Sequence, residues 1–319
     1  MRRSRPMVLF NPGGVEAKIT FTTRCTARCT TCLNHTIRQP LDLGWDAFQA
    51  FIAQILNVEQ LKNINFYSIG ESYLHPHFIE MVEWALPLCR ERHIATTIVT
   101  NGSAVTKVPK GIDNFFISFN AGRKDTYERI TGLSFDNVVA RIKQLGDEGE
   151  FRKAKNAQIH MLAFEANQQE VIDFINTFSE IEGITLRVSY KFDNQQGKTI
   201  DRGLVKRTSR AACDYLTNMI VLYPNGDIVL CSHDFQGSVV FGNIGKESLE
   251  DVLREPKRMA LIGKHNRGIF PGLCRDCNYN LDNVGGLFKY YTPRGAENCK
   301  MMIARCLSRI ANRLSRVFR

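Results

Sequence analysis

The chain has 319 residues, 44% of them hydrophobic and 23% charged, a balance that suits one large or two modest globular domains with a proper core. No run of eighteen apolar residues occurs, and the apolar stretch before Asn11-Pro12-Gly13-Gly14 is too short for a signal peptide, so a cytoplasmic protein is expected. The net charge of +10 calls for an anionic partner, yet Glu297 to Arg319 holds six basic residues against one acidic, which leaves the body only mildly basic and nucleic acid an unexpected partner.

Residues 1–16 read as a lead-in broken by Pro6 and the Asn-Pro-Gly-Gly turn. A first strand is expected at 17–22. A helix follows at 45–58, where Trp45, Phe48, Ile52, Ile55 and Leu56 keep helical spacing and Asp42 or Gly44 would start it. The alternation continues with strand 63–69, helix 78–92, strands 96–100 and 114–119, helices 126–130 and 136–148, strand 158–164, helix 168–181 and strand 185–190. Strands mostly separated by helices argue for a parallel α/β arrangement, because parallel neighbours need a crossover. Polar residues around 194–210 read as a linker. Pro224-Asn225-Gly226-Asp227 between apolar runs 218–223 and 228–230 is a hairpin signal, followed by a helix at 248–254 and a Gly-rich stretch to Tyr291. The expected division is thus 1–16, 17–205, 206–291 and 292–319, the last a basic amphipathic helix. That helix suits either docking on its own core or binding an anionic membrane surface or acidic partner.

Directly after the first strand, Cys25-x3-Cys29-x2-Cys32 places three thiols in eight residues. Structural zinc wants four ligands, usually as two separated pairs, whereas an iron–sulfur cube can be held by three thiolates with one iron open. A zinc knuckle or a group of buried thiols are the bland alternatives. The triplet resembles the signature of the radical S-adenosylmethionine (SAM) enzymes, with Thr31 where the family commonly has an aromatic residue. The resemblance implies a 4Fe–4S cluster on Cys25, Cys29 and Cys32, with SAM on its open iron. SAM is then cleaved to a 5′-deoxyadenosyl radical that takes hydrogen from a substrate, and a protein such as flavodoxin or ferredoxin supplies the electron. It also implies an α/β partial barrel of six strand–helix units with the site at the C-terminal strand ends. Gly70-Glu71 resembles the second half of the family's Gly-Gly-Glu motif, Ile69 replacing the first glycine, and by that likeness holds the amino group of SAM. Ser118 and Asn120 are candidates for its ribose, although a cap or turn would equally use Asn120 or Asn101.

A second set, Cys213, Cys231, Cys274 and Cys277, resembles the first half of the SPASM pattern. The next cysteine of the full pattern is Asn283 here, which leaves the short twitch form with one auxiliary 4Fe–4S cluster. Four thiols without His would equally suit zinc. Members with such a domain dehydrogenate sugars or cyclitols, modify peptides or epimerise them. Few residues precede the first strand, where a peptide-recognition domain would sit, so oxidation of a small polar alcohol is the favoured expectation and a non-catalytic iron–sulfur or zinc protein the reading from another class. Lys191, His75 and Glu165 are candidates for the base. His233 is a candidate substrate contact, Cys89 is expected in the core, and Cys299 or Cys306 would be the hydrogen donor of an epimerase.

Overall fold

A computed structural model describes residues 10, 13–37, 39–189, 213–275, 277 and 289–291. Strands β1 (Val15–Ile19), β2 (Leu61–Asn65), β3 (Ala95–Thr100), β4 (Asn114–Ser118), β5 (Asn156–Leu162) and β6 (Thr185–Ser189) lie side by side in chain order, every pair parallel. Helices α1 (Trp45–Ile55), α2 (Phe78–Glu91), α3 (Lys124–Thr131), α4 (Phe135–Asp147) and α5 (Val171–Phe178) fill most of the crossovers. Strand order fixes the form of this parallel sheet. Right-handed crossovers that never reverse direction put every helix on one face, so the sheet curls with its other face inside. This is the partial barrel.

The two faces differ as that geometry demands. Ile64, Phe66, Ile98, Phe115, Ile117, Ile159 and Leu186 are buried in one hydrophobic core with Phe48, Phe51, Phe78, Val82, Phe174 and Phe178 of the helices. Phe21, just past β1, packs its ring 4.8 Å from Phe78 and 5.6 Å from Phe48. On the inner face the register aligns Lys18, Asn65, Thr97, Asn114 and Asn156. Buried amides must be hydrogen-bonded, and here they bond to one another. Asn65 Nδ2 donates to Glu16 Oε2 (3.1 Å), Asn63 Nδ2 to Asn65 Oδ1 (3.0 Å) and Thr97 Oγ1 to Asn63 Oδ1 (3.1 Å). Asn114 Nδ2 continues to Thr97 Oγ1 (3.2 Å), Asn156 Nδ2 to Asn114 Oδ1 (3.2 Å) and Gln158 Nε2 to Asn156 Oδ1 (3.1 Å). This belt runs from β1 to β5, meeting β4 and β5 at their N-terminal ends and β2 at its C-terminal end.

The sheet does not stop at β1. Strand β7 (Met219–Leu222) pairs with it in parallel, and β8 (Asp227–Val229) and β9 (Val240–Asn243) extend the sheet as antiparallel strands, with β10 (Lys289–Tyr291) closing the far edge on β6. The expected hairpin is β7–β8, with Gly226 in the left-handed region at its turn. Helix α6 (Asp214–Thr217) precedes it, and α7 (Leu249–Leu253) matches the expected 248–254. Three expectations are corrected. The first strand ends at Ile19 and not at residue 22, because beyond it the chain turns into the cysteine loop. The expected helix at 168–181 is a 3-10 turn at Gln168–Glu170 and a shorter α5. A further helix, α8 (Pro256–Asn266), stands where only a Gly-rich stretch was expected. The linker, Lys191, Cys299, Cys306 and the basic tail lie outside the described residues, among which no helix is long and apolar enough to cross a membrane. Cys89 is fully buried in the core, as expected.

Candidate active site and metal centres

The loop carrying the first triplet is tied down along its length. Thr23 N donates to Leu41 O (3.0 Å), and Arg24 Nη2 meets Asp42 Oδ2 at 2.6 Å. Arg28 N and Thr30 N donate to Thr131 O and Ile130 O (both 2.8 Å), so the loop satisfies carbonyls that the end of α3 would otherwise leave open. Cys25 and Cys29 line a cavity of about 730 Å³ with Arg24, Arg28 and His35 on its wall. Burial, with the charge of neighbouring thiols, pushes Cys25 up to about 11 and Cys29 up to about 12, and burial likewise raises Cys32. Thiols so placed become thiolates when a bound cation supplies the counter-charge.

Gly70-Glu71 lies against this loop. Gly70 has φ +79°, and a Cβ there would stand 2.1 Å from Thr22 O and 2.8 Å from Arg24 O, so glycine is required where two backbones touch. Glu71 N donates to Arg24 O (2.8 Å). The Glu71 carboxylate is 2% exposed and accepts three bonds: Oε1 from Thr100 Oγ1 (2.8 Å) and Tyr73 N (3.3 Å), Oε2 from Asn101 N (2.8 Å). Burial raises its pKa and these bonds oppose the rise. Asn101 carries the link onward, its Nδ2 donating to Thr26 Oγ1 (3.1 Å) and reaching Cys25 Sγ at 3.8 Å. The Gly-to-Ile departure also has a reason. Ile69 is buried with Met219, Val221, Tyr223, Val229 and Phe235, and Cys32 packs against that cluster.

The other predicted residues separate. Asn120 accepts from Leu162 N (3.1 Å) and donates to Ser118 Oγ (3.2 Å), bracing β4 to β5 at their C-terminal ends. His75 is a pin: Nε2 bonds Leu43 O (3.0 Å) and Nδ1 accepts from His77 N (3.2 Å), so both nitrogens are engaged and burial lowers its pKa. Glu165 is exposed just past β5.

The second set converges although its members span 65 residues of chain. Cys213, Cys231, Cys274 and Cys277 line one pocket with Tyr215, His233 and His265. Burial pushes Cys213 up to about 11 and raises Cys231 strongly. Among the described residues no group of three or more His, Cys, Asp or Glu side chains is placed to hold a single metal ion. In both sets the backbone two residues on bonds the sulfur: Asn34 N to Cys32 Sγ and His233 N to Cys231 Sγ, each 3.4 Å, with Ala27 and Tyr215 doing the same for Cys25 and Cys213. Such bonds stabilise thiolate charge and tune a cluster. Helix α8 braces the site. Cys213 N lies 3.5 Å from His265 Nδ1, and the buried Arg258 donates to Leu216 O (3.2 Å), Thr217 O (3.1 Å) and Leu253 O (3.0 Å). Sequence reasoning named neither residue.

Residues 213–278 match the SPASM family, an iron–sulfur cluster-binding domain. The chain carries a SPASM domain. Soft thiols on an apolar wall fit such a cluster. Over 86 residues the chain is 34% identical to the tungsten-containing aldehyde ferredoxin oxidoreductase cofactor-modifying protein of Pyrococcus furiosus, a match covering 27% of this chain and 23% of that protein. Three solved structures share the fold. BtrN in complex with AdoMet and 2-DOIA aligns over 86% of this chain and 95% of its own, with a TM-score of 0.56 at 16% identity. SuiB of Streptococcus suis bound to the precursor peptide SuiA gives 85%, 71%, 0.58 and 14% in the same order, and native anSMEcpe with bound AdoMet 78%, 82%, 0.53 and 12%. The likeness is one of fold, and here the strands β7–β9, within the stretch that matches SPASM, continue the sheet of β1–β6.

Proposed function

We propose that the chain is a radical SAM oxidoreductase in which Cys25, Cys29 and Cys32 hold the SAM-binding 4Fe–4S cluster and Cys213, Cys231, Cys274 and Cys277 an auxiliary one. The observation that carries this reading is a three-thiol loop and a four-thiol pocket on the same sheet. The first opens on a cavity within the range of small-molecule sites, about 300–1,000 Å³. Bound there, cluster and SAM together supply the 5′-deoxyadenosyl radical. The chain's own residues do the rest. Glu71 keeps at most one lone pair for the amine of SAM beside its three protein donors, so its larger part is to hold β2, β3 and the Cys25 loop in one geometry. Ser118 and Asn120, at the end of β4, are our candidates to meet the ribose.

The reaction we favour is a two-electron oxidation of a small polar alcohol: SAM, if bound, would supply the acceptor of one hydrogen atom, a cluster held by Cys213, Cys231, Cys274 and Cys277 would take the remaining electron, and a base of the chain would take the proton. BtrN, seen with AdoMet and 2-DOIA, supports a small substrate. Among the described residues His75 and Glu165 are the candidates to take the proton. The likeness to SuiB with its peptide supports peptide modification as the second reading. The division at residues 205 and 206, with its seam at the β1–β7 pair, is part of the proposal.

The test is anaerobic reconstitution with iron and sulfide, then addition of SAM and a reductant. Wild type should release 5′-deoxyadenosine, C25A/C29A/C32A none, and C213A/C231A should still release it without oxidised substrate. Cleavage of SAM by the first variant would remove the assignment. Normal turnover by the second would remove the oxidative role of the auxiliary site.

A further inference from the structure

One inner-face side chain is used by neither the belt nor the cysteine sites. Lys18, on β1, is 8% exposed, and Nζ has no hydrogen-bond or ion-pair partner among the described residues. It lies 5.2 Å from the ring centroids of both Tyr67 and Tyr215. Tyr67 follows β2 just before Gly70-Glu71, and Tyr215 lines the second thiol pocket, its ring 5.4 Å from that of His233. A buried ammonium is costly unless its charge is met, and two aromatic faces meet only part of it. Glu16 accepts from the Asn65 amide and Glu71 from its three donors, and neither carboxylate is bonded to Lys18. Among the described residues, Lys18 therefore brings to the inner face a positive charge that no carboxylate pairs with.

We propose that Lys18 binds an oxyanion of the substrate, a carboxylate or a phosphate, on the wall formed by Tyr67 and Tyr215. This deepens the reading above and rests on it, because it narrows the small polar substrate to one bearing a negative charge and sets that charge beside the auxiliary site. Three donors on a compact ammonium suit a single oxyanion, and the tyrosine faces fix where it lies.

The test is calorimetric titration of the reconstituted full chain with inorganic phosphate and, separately, with succinate, at fixed pH and ionic strength. Wild type should bind one of the two at one equivalent. K18M, which keeps the length of the side chain, should weaken that binding at least about tenfold, and K18R should largely restore it. Binding of phosphate alone identifies a phosphoryl group, binding of succinate alone a carboxylate. Iron content and circular dichroism establish that each variant is folded, with K18Q as a second neutral variant. No binding of either anion by wild type, or equal binding by K18M and K18Q, overturns the proposal. The titration does not involve SAM cleavage, so failure of the radical reading would appear separately in the 5′-deoxyadenosine assay.

Discussion

Glu71 shows how a residue legible in sequence acquires a second role in three dimensions. Its likeness to a family motif pointed to the amine of SAM, but the carboxylate also gathers a backbone N–H and a hydroxyl from the end of β3 and a backbone N–H from Tyr73. Glu71→Ala strands these buried donors, so the metal-free protein should lose about 2–4 kcal/mol in urea denaturation, and iron at the first site should fall because Asn101 and Cys25 loosen together. An unchanged urea midpoint with weakened SAM binding would return Glu71 to a purely ligand-binding role. His160 offers a pH test. Burial, and secondarily the Arg187 charge, lowers its pKa from 6.5 to about 4, and Nε2 lies 2.6 Å from Ser189 Oγ. The unfolded chain therefore takes up a proton between these values that the folded chain refuses. Stability is complete above pH 6.5 and falls as the pH drops towards 4, by up to about 3 kcal/mol. His160→Gln should flatten that slope in pH-dependent denaturation; an unaltered slope would assign it to other groups. Lys18 was not legible because a single lysine in a strand signals nothing until its neighbours across the sheet are known.

At the scale of elements, periodicity found what is amphipathic and missed what is not. α1, α2 and α4 bury apolar stripes and fall within a few residues of expectation. Helix α8 buries Arg258 and His265, so its inward face carries charge and imidazole where a pattern search looks for leucine. Pro256 at its first turn was the available signal. The pairing of β7 with β1 was equally hidden, since the two strands are some two hundred residues apart and each reads only as a short apolar run. Arg258 allows a test of what α8 does. Arg258→Met leaves the carbonyls of Leu216, Thr217 and Leu253 without that donor, and α6, which follows directly from Cys213, loses its anchor. We expect about 2–4 kcal/mol lower stability and selective loss of iron from the second site, read by denaturation and iron analysis with the first site retained. Equal loss from both sites would mean that α8 supports the whole fold and not one centre.

For the whole molecule, a single curled sheet carries both cysteine sets. A chain of amides crosses its inner face from β1 to β5, glycine lets the strand-end turn of β2 press on the first cysteine loop, and the SPASM strands bring the second set alongside Tyr215 and Lys18. The cysteines themselves were legible from spacing, because ligand chemistry fixes the residue type. Their convergence from positions 213, 231, 274 and 277 was an expectation of family likeness that the pocket now places in space. The central claim is that seven cysteines hold two clusters, and metal analysis tests it most directly. After anaerobic reconstitution the full chain should contain about eight iron atoms, about four in C25A/C29A/C32A and about four in C213A/C231A. Zinc in place of iron at the second set, or about four irons in wild type with none lost in one of the two variants, would contradict it.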